Sequence, residues 1–182
     1  MVKTMRLLFL AALLLPFAAS AQLVTSVPIR PLLLYSNGII AGNGADTTED
    51  TIMSVSMPAN TLVNVGDTLH IVVRGVAAAN TDTKTTRVRF GGAQVIAITQ
   101  NSATTTLIYL FQVWITVTGV NTQTSISYSQ NGTATSTSNT VPLTATTTAP
   151  IVIATTGINA TNPTANSVQV NMMFVEFYPA GS

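Results

Sequence analysis

Cysteine is absent from the sequence, which excludes disulfides, thiolate metal sites, a cysteine nucleophile and a lipid-bearing cysteine. Histidine occurs once, as His70, and tryptophan once, as Trp114. Charged residues make up 7% of the chain, against about 25% in average soluble domains. The formal net charge of +1 gives no general drive toward nucleic acid or an anionic membrane. So few ionisable groups leave little from which to assemble hydrolytic or metal-dependent chemistry. What is present is apolar: hydrophobic residues account for 47% of the 182 residues. A disordered chain shows the opposite bias.

The amino terminus is set apart. Lys3 and Arg6 precede an apolar run from Leu7 to Ala19, and Ala19-Ser20-Ala21 supplies a small-x-small site. This is the layout of a secretory signal, with cleavage before Gln22. The run is shorter than the ~20 residues that span a bilayer. An uncleaved hydrophobic arm is the alternative for residues 1–21. Removal leaves 161 residues with five basic and six acidic side chains, enough chain to bury a core without disulfides. No membrane association is then expected.

Threonine fills 30 of those 161 positions. β-branched residues lose side-chain freedom in helices and pack well on pleated sheets. Alternation by two recurs, and no sustained helical period does. Leu69, Ile71 and Val73 oppose His70 and Arg74; Val88 and Phe90 oppose Arg87 and Arg89. From Leu107 to Thr118, the odd positions Leu107, Tyr109, Phe111, Val113, Ile115 and Val117 share one face. Gly91-Gly92 and Asn131-Gly132 supply hairpin turns. Further strands are expected at Thr51 to Met57, Pro150 to Thr156 and Ser167 to Tyr178. Thr133 to Ala149, rich in Thr, Ser and Ala, reads as an exposed polar edge strand. The expected fold is all-β: an antiparallel β-sandwich, jelly-roll-like, of eight to ten strands. Residues 22–46 read as an extended N-terminal arm or edge strand, because Pro28 and Pro31 restrict them and Leu32 to Tyr35 lack alternation. The sandwich itself is expected over 47–182.

Three short runs carry a resemblance: Met57-Pro58-Ala59-Asn60-Thr61-Leu62, Gly66-Asp67-Thr68-Leu69-His70-Ile71, and Thr86-Arg87-Val88-Arg89-Phe90-Gly91-Gly92. In this order, followed by the Trp114 strand and a closing Glu176-Phe177-Tyr178, they resemble a β-sandwich domain of virion structural proteins of tailed bacteriophages, of the head-decoration and tail-fibre type. The match spans about Thr47 to Tyr178, and its motifs are packing and turn motifs. The resemblance implies a jelly-roll-like fold and a virion-surface setting, and no catalytic residues.

Candidate sites follow from the residues. In the closing strand, Val168, Val170, Met172 and Phe174 hold one face, yet Met173, Val175 and Phe177 make the other apolar too. An apolar outer face requires a cover, so Met173, Val175 and Phe177, with Leu33 and Tyr35, are the expected interface of a homo-oligomer or larger particle. Trp114, opposite the core face of its strand, is a candidate to stack on a surface glycan or anchor a subunit; the segment Leu32 to Tyr35 can equally cover it. Arg74, Lys84, Arg87 and Arg89 fall within sixteen positions and form a candidate basic patch, with Arg74, Arg87 and Arg89 its candidate contacts for an acidic glycan or protein; cross-strand pairing with Asp67 and Asp82 is the plainer account. His70 reads as a solvated surface residue. Asp46, Glu49 and Asp50 lack the D-x-D-x-D-G spacing of a calcium loop. No pair of the six carboxylates stands in a pattern that marks a glycosidase. The sequons at Asn131 and Asn159 are expected by chance in so threonine-rich a chain. The reading is therefore a structural protein without catalytic residues, cofactor or metal, with a secreted glycan- or protein-binding module as the alternative.

Overall fold

A computed structural model describes residues 31–102, 105–132 and 134–181. The expected secretory signal or arm over residues 1–21 lies outside them. The described residues form eleven strands and no helix: β1 (Leu32–Asn37), β2 (Ala41–Gly42), β3 (Asp50–Met57), β4 (Thr68–Ala77), β5 (Asn80–Phe90), β6 (Ala93–Ser102), β7 (Leu107–Gly119), β8 (Thr122–Asn131), β9 (Ala134–Leu143), β10 (Ile151–Asn159) and β11 (Val168–Tyr178). The larger sheet runs β1-β11-β4-β7-β8-β9, with β2 also paired to β11, and the smaller runs β3-β10-β5-β6. Every pairing is antiparallel. The two four-strand sets β1-β11-β4-β7 and β3-β10-β5-β6 are the two sheets of a jelly roll. The β8–β9 hairpin widens one of them, and β9 is the polar edge strand expected there.

Strict alternation makes the core. Leu69, Ile71 and Val73 of β4, Phe111, Val113 and Ile115 of β7, and Val88, Phe90 and Ile153 from the smaller sheet are buried between the layers. Gly91 and Gly92 both take positive φ at the β5–β6 turn, which glycine adopts without steric cost. At the β8–β9 turn Gly132 alone of the Asn-Gly pair does so, and Asn131 instead ends β8 paired with Ala134.

β1 is an edge strand of the larger sheet, the second of the two alternatives for residues 22–46. One expectation needs correction: the faces of β11 are the reverse of the expected ones over its second half. Opposite β4 the register slips between Val170 and Met172. That β-bulge at Asn171 changes which side chains point inward. Val168 and Val170 face the core, and beyond the bulge so do Met173 and Val175, which are 0% and 1% exposed. Phe177 and, after a second slip near Leu34, Tyr35 pack half-buried against the same core. Of the five residues expected at an interface only Leu33 is open, at 58% exposure.

Candidate functional site

The bulge leaves Met172, Phe174 and Glu176 on the outer face of the larger sheet, where register then sorts side chains into rows. One row holds Leu33, Glu176, His70, Trp114 and Ile126 across β1, β11, β4, β7 and β8. The next holds Ser36, Phe174, Val72, Gln112 and Tyr128, and a third holds Met172, Arg74, Leu110 and Gln130.

In the first two rows the aromatic groups pack on one another. His70 and Trp114, directly paired, stack with centroids 4.6 Å apart and planes 13° from parallel. Phe174 meets His70 edge-on at 6.0 Å, and Tyr128 stands perpendicular to Trp114 at 6.5 Å. His70 Nδ1 lies 3.2 Å from Glu176 Oε2, which also accepts from the Tyr178 hydroxyl at 3.2 Å. Glu176 with burial pushes the Tyr178 phenol upward, burial being the larger cause. His70 is thus a packed member of an aromatic row and not a solvated surface group; its side chain is 17% exposed. Trp114 is half-buried by His70 and Tyr128, while β1 lies three strands away and does not cover it.

Beyond the aromatic rows a groove of about 640 Å³ opens on the same face. Arg74, Thr106, Ile108, Tyr109, Leu110, Gln130, Gly132 and Met172 line it. Arg74 has no hydrogen-bond or ion-pair partner among the described residues. Tyr128 is 47% exposed and two positions along β8 from Gln130, on the same face. An open guanidinium, a carboxamide and a half-open phenol beside apolar side chains can hold a ligand with both hydroxyls and apolar faces. Tyr128, Gln130, Leu110 and Met172 were missed in the sequence. The β8 alternation does carry Tyr128 and Gln130 on one face, but what they stand beside comes from strands distant along the chain.

The three arginines do not form one patch. Arg74 is on β4 in the larger sheet, whereas Arg87 and Arg89 are on β5 in the smaller one. Their partner is neither Asp67 nor Asp82 but Glu49. Arg89 Nε and Nη2 donate to its two oxygens at 2.9 Å each, Arg87 Nη1 donates at 3.1 Å, and the Thr156 hydroxyl donates as well. Burial opposes the charge on Glu49, yet the bonds from Thr156 and Arg89 and the charges of Arg87 and Arg89 outweigh it and hold its carboxyl below the usual range. Asp50 accepts from the Gly44 amide, and Asp46 from Thr48, which lowers its own pKa. Among the described residues no three His, Asp or Glu side chains gather as a metal site.

The sign of the Glu49 effect is fixed. A carboxyl depressed in the folded state adds stability that is complete above its unfolded pKa and lost as pH falls through the folded one. Acidification from about pH 5 to pH 3 is expected to cost the wild type about 2–4 °C in Tm more than Glu49→Gln, the size of a single well-made ion pair. Parallel melting curves measure this, and identical acid slopes in the two proteins would refute it.

No family model matches the chain, and no curated protein sequence matches it. Solved structures are similar to it. Among them is the CBM2 module of the evolved Dit of Lactobacillus casei BL23 phage J-1, 12% identical, with 83% of this chain aligned to 81% of that one at a TM-score of 0.47.

Proposed function

We propose that this chain is a non-enzymatic β-sandwich module that binds carbohydrate along the outer face of its larger sheet, at a virion surface or secreted. The observation that supports it is the groove lined by unpaired Arg74 and by Gln130, with the half-open ring of Tyr128 two residues along β8 from Gln130 on the same face. A sugar presents an apolar C–H face and a rim of hydroxyls. The first fits an aromatic ring, and the second fits the donors of a guanidinium and a carboxamide. Arg74 biases the choice toward acidic sugars, since a cation beside apolar walls gains most from an anion. Trp114 packs against the Tyr128 ring beside the groove, so that little freedom of that ring is lost on binding.

The test is a glycan array followed by calorimetry on the best acidic and neutral hits. Arg74→Ala and Tyr128→Ala are each expected to weaken binding about tenfold, or about 1.4 kcal/mol, without a shift in melting temperature. An array without hits, or affinity unchanged in both variants, would sink the reading.

A structural subunit of a larger particle is the second reading, favoured by a different region. Leu32, Leu33, Ile39 and Ile40 lie on or just after β1, exposed by 59%, 58%, 76% and 62%. They border the terminal strand of the larger sheet, where a free edge invites another chain. Light scattering on the same samples separates the readings, because glycan binding requires no oligomer.

A further inference from the structure

Lys84 lies in the interior. It is 1% exposed on the inner face of β5, with Asp82 at 6% on the same face. Directly opposite on β10 is Asn159, which is 0% exposed. The Lys84 Nζ donates to the backbone carbonyls of Asp82 at 2.9 Å and Asn80 at 3.3 Å, and no carboxylate lies within ion-pair distance. A buried ammonium without an ion pair is costly. Burial accordingly lowers the Lys84 pKa, against the opposing charge of Asp82. Once deprotonated, the amine is a nucleophile.

Its neighbour is arranged as an acceptor. Directly opposed side chains on one sheet face have Cβ atoms about 4.5–5.5 Å apart, within the reach of a four-carbon lysine stem. The Asn159 carbonyl oxygen accepts from the Thr161 amide at 3.4 Å. Its amide nitrogen lies 3.5 Å from Asp82 Oδ2 and donates to Asn162 O at 2.9 Å and Ser167 Oγ at 3.0 Å. Lys84 and Asn159 are thus paired across β5 and β10, with the Asp82 carboxylate beside Asn159, and all three side chains are buried.

We propose that Lys84 and Asn159 join in an intramolecular amide cross-link between β5 and β10, with Asp82 transferring the proton. Nζ of the neutral amine attacks Cγ of Asn159. The proton lost from Nζ passes through the Asp82 carboxylate to Nδ2, and Nδ2 departs as ammonia. One C–N bond forms, one breaks, and nothing is oxidised or reduced. The product is a neutral amide that can no longer become a buried unpaired cation, which removes that desolvation cost.

Intact-mass spectrometry of the purified full chain tests this, with the N-terminus read from its peptides in the same sample. The expected mass is below that of the sequence by one ammonia, about 17 Da, and fragmentation should yield a branched peptide through Lys84 and Asn159. Asp82→Asn, nearly isosteric, is expected to fold by circular dichroism and to retain the unmodified mass. An unmodified wild-type mass would overturn the proposal. So would a branch through Gln100, the other side chain opposite Lys84, or complete cross-linking in Asp82→Asn.

Discussion

Gly75→Ala is expected to destabilise the protein by about 3–5 kcal/mol, a large share of the roughly 5–15 kcal/mol that holds a domain folded. A Cβ at this β4 position would lie 2.1 Å from the Gln169 carbonyl oxygen and 2.2 Å from the Tyr109 hydroxyl. Neither neighbour can yield cheaply. Gln169 lies on the paired backbone of β11 beside the Asn171 bulge. Tyr109 is wholly buried, and its hydroxyl donates to that same carbonyl at 2.7 Å. The missing side chain of Gly75 is the space in which this bond is made. Alanine must expel the phenol or break the β4–β11 ladder, and each route strands a buried polar group. Urea melts should show the midpoint falling sharply, while Gly38→Ala, with no atom within 4 Å of its Cβ, should barely move it. A Gly75→Ala midpoint within error of wild type would refute this account.

The same bulge shows where sequence reading stops. Alternation in β4 and β7 was legible because the inner face of each strand is apolar while the other is broken by polar side chains: Thr68, His70 and Arg74 in β4, Gln112, Thr116 and Thr118 in β7. In β11 both faces are apolar, so either parity buries hydrophobic side chains, and a single extra residue at Asn171 reverses the answer without a trace in the pattern. The aromatic row was illegible for another reason. His70 and Trp114 are 44 residues apart and Phe174 is 60 further on, and only the strand order β11-β4-β7 makes them neighbours. Lys84, by contrast, was readable. Val88 and Phe90 fix the inward parity of β5, and extending it backward points Thr86, Lys84 and Asp82 to the core. That consequence follows only once β5 begins at Asn80; by charge and spacing alone Lys84 groups with Arg74, Arg87 and Arg89. Arg87 and Arg89 were correctly assigned to one face, but their partner Glu49 lies in the segment leading into β3, across the smaller sheet.

Asp67→Ala is expected to cost about 3–5 kcal/mol, although no basic side chain pairs with this carboxylate. It is 1% exposed and accepts only backbone amides: Val63 at 2.9 Å and Asn64 at 2.8 Å on Oδ2, and Ala180 at 2.8 Å on Oδ1. Its own carbonyl accepts from Val117 at 2.9 Å, and the Gly66 amide donates to Val117 O at 2.9 Å. One side chain therefore ties the turn before β4 to the end of β7 and to the segment after β11. Hydrogen bonds to a charged acceptor contribute about 1.5–3 kcal/mol each, and partial rehydration at the exposed turn offsets some of the loss of three. Asp67→Asn should fall about midway, because its single carbonyl oxygen can serve the turn or Ala180 but not both. Urea midpoints rank the three proteins, and hydrogen exchange at the Ala180 amide reports which tie the asparagine keeps. A loss below about 0.5 kcal/mol in Asp67→Ala, the range of an ordinary surface change, would show that water replaces the carboxylate at all three amides. The closure of this end of the sandwich would then rest on the Gly66–Val117 and Val117–Asp67 backbone pair alone.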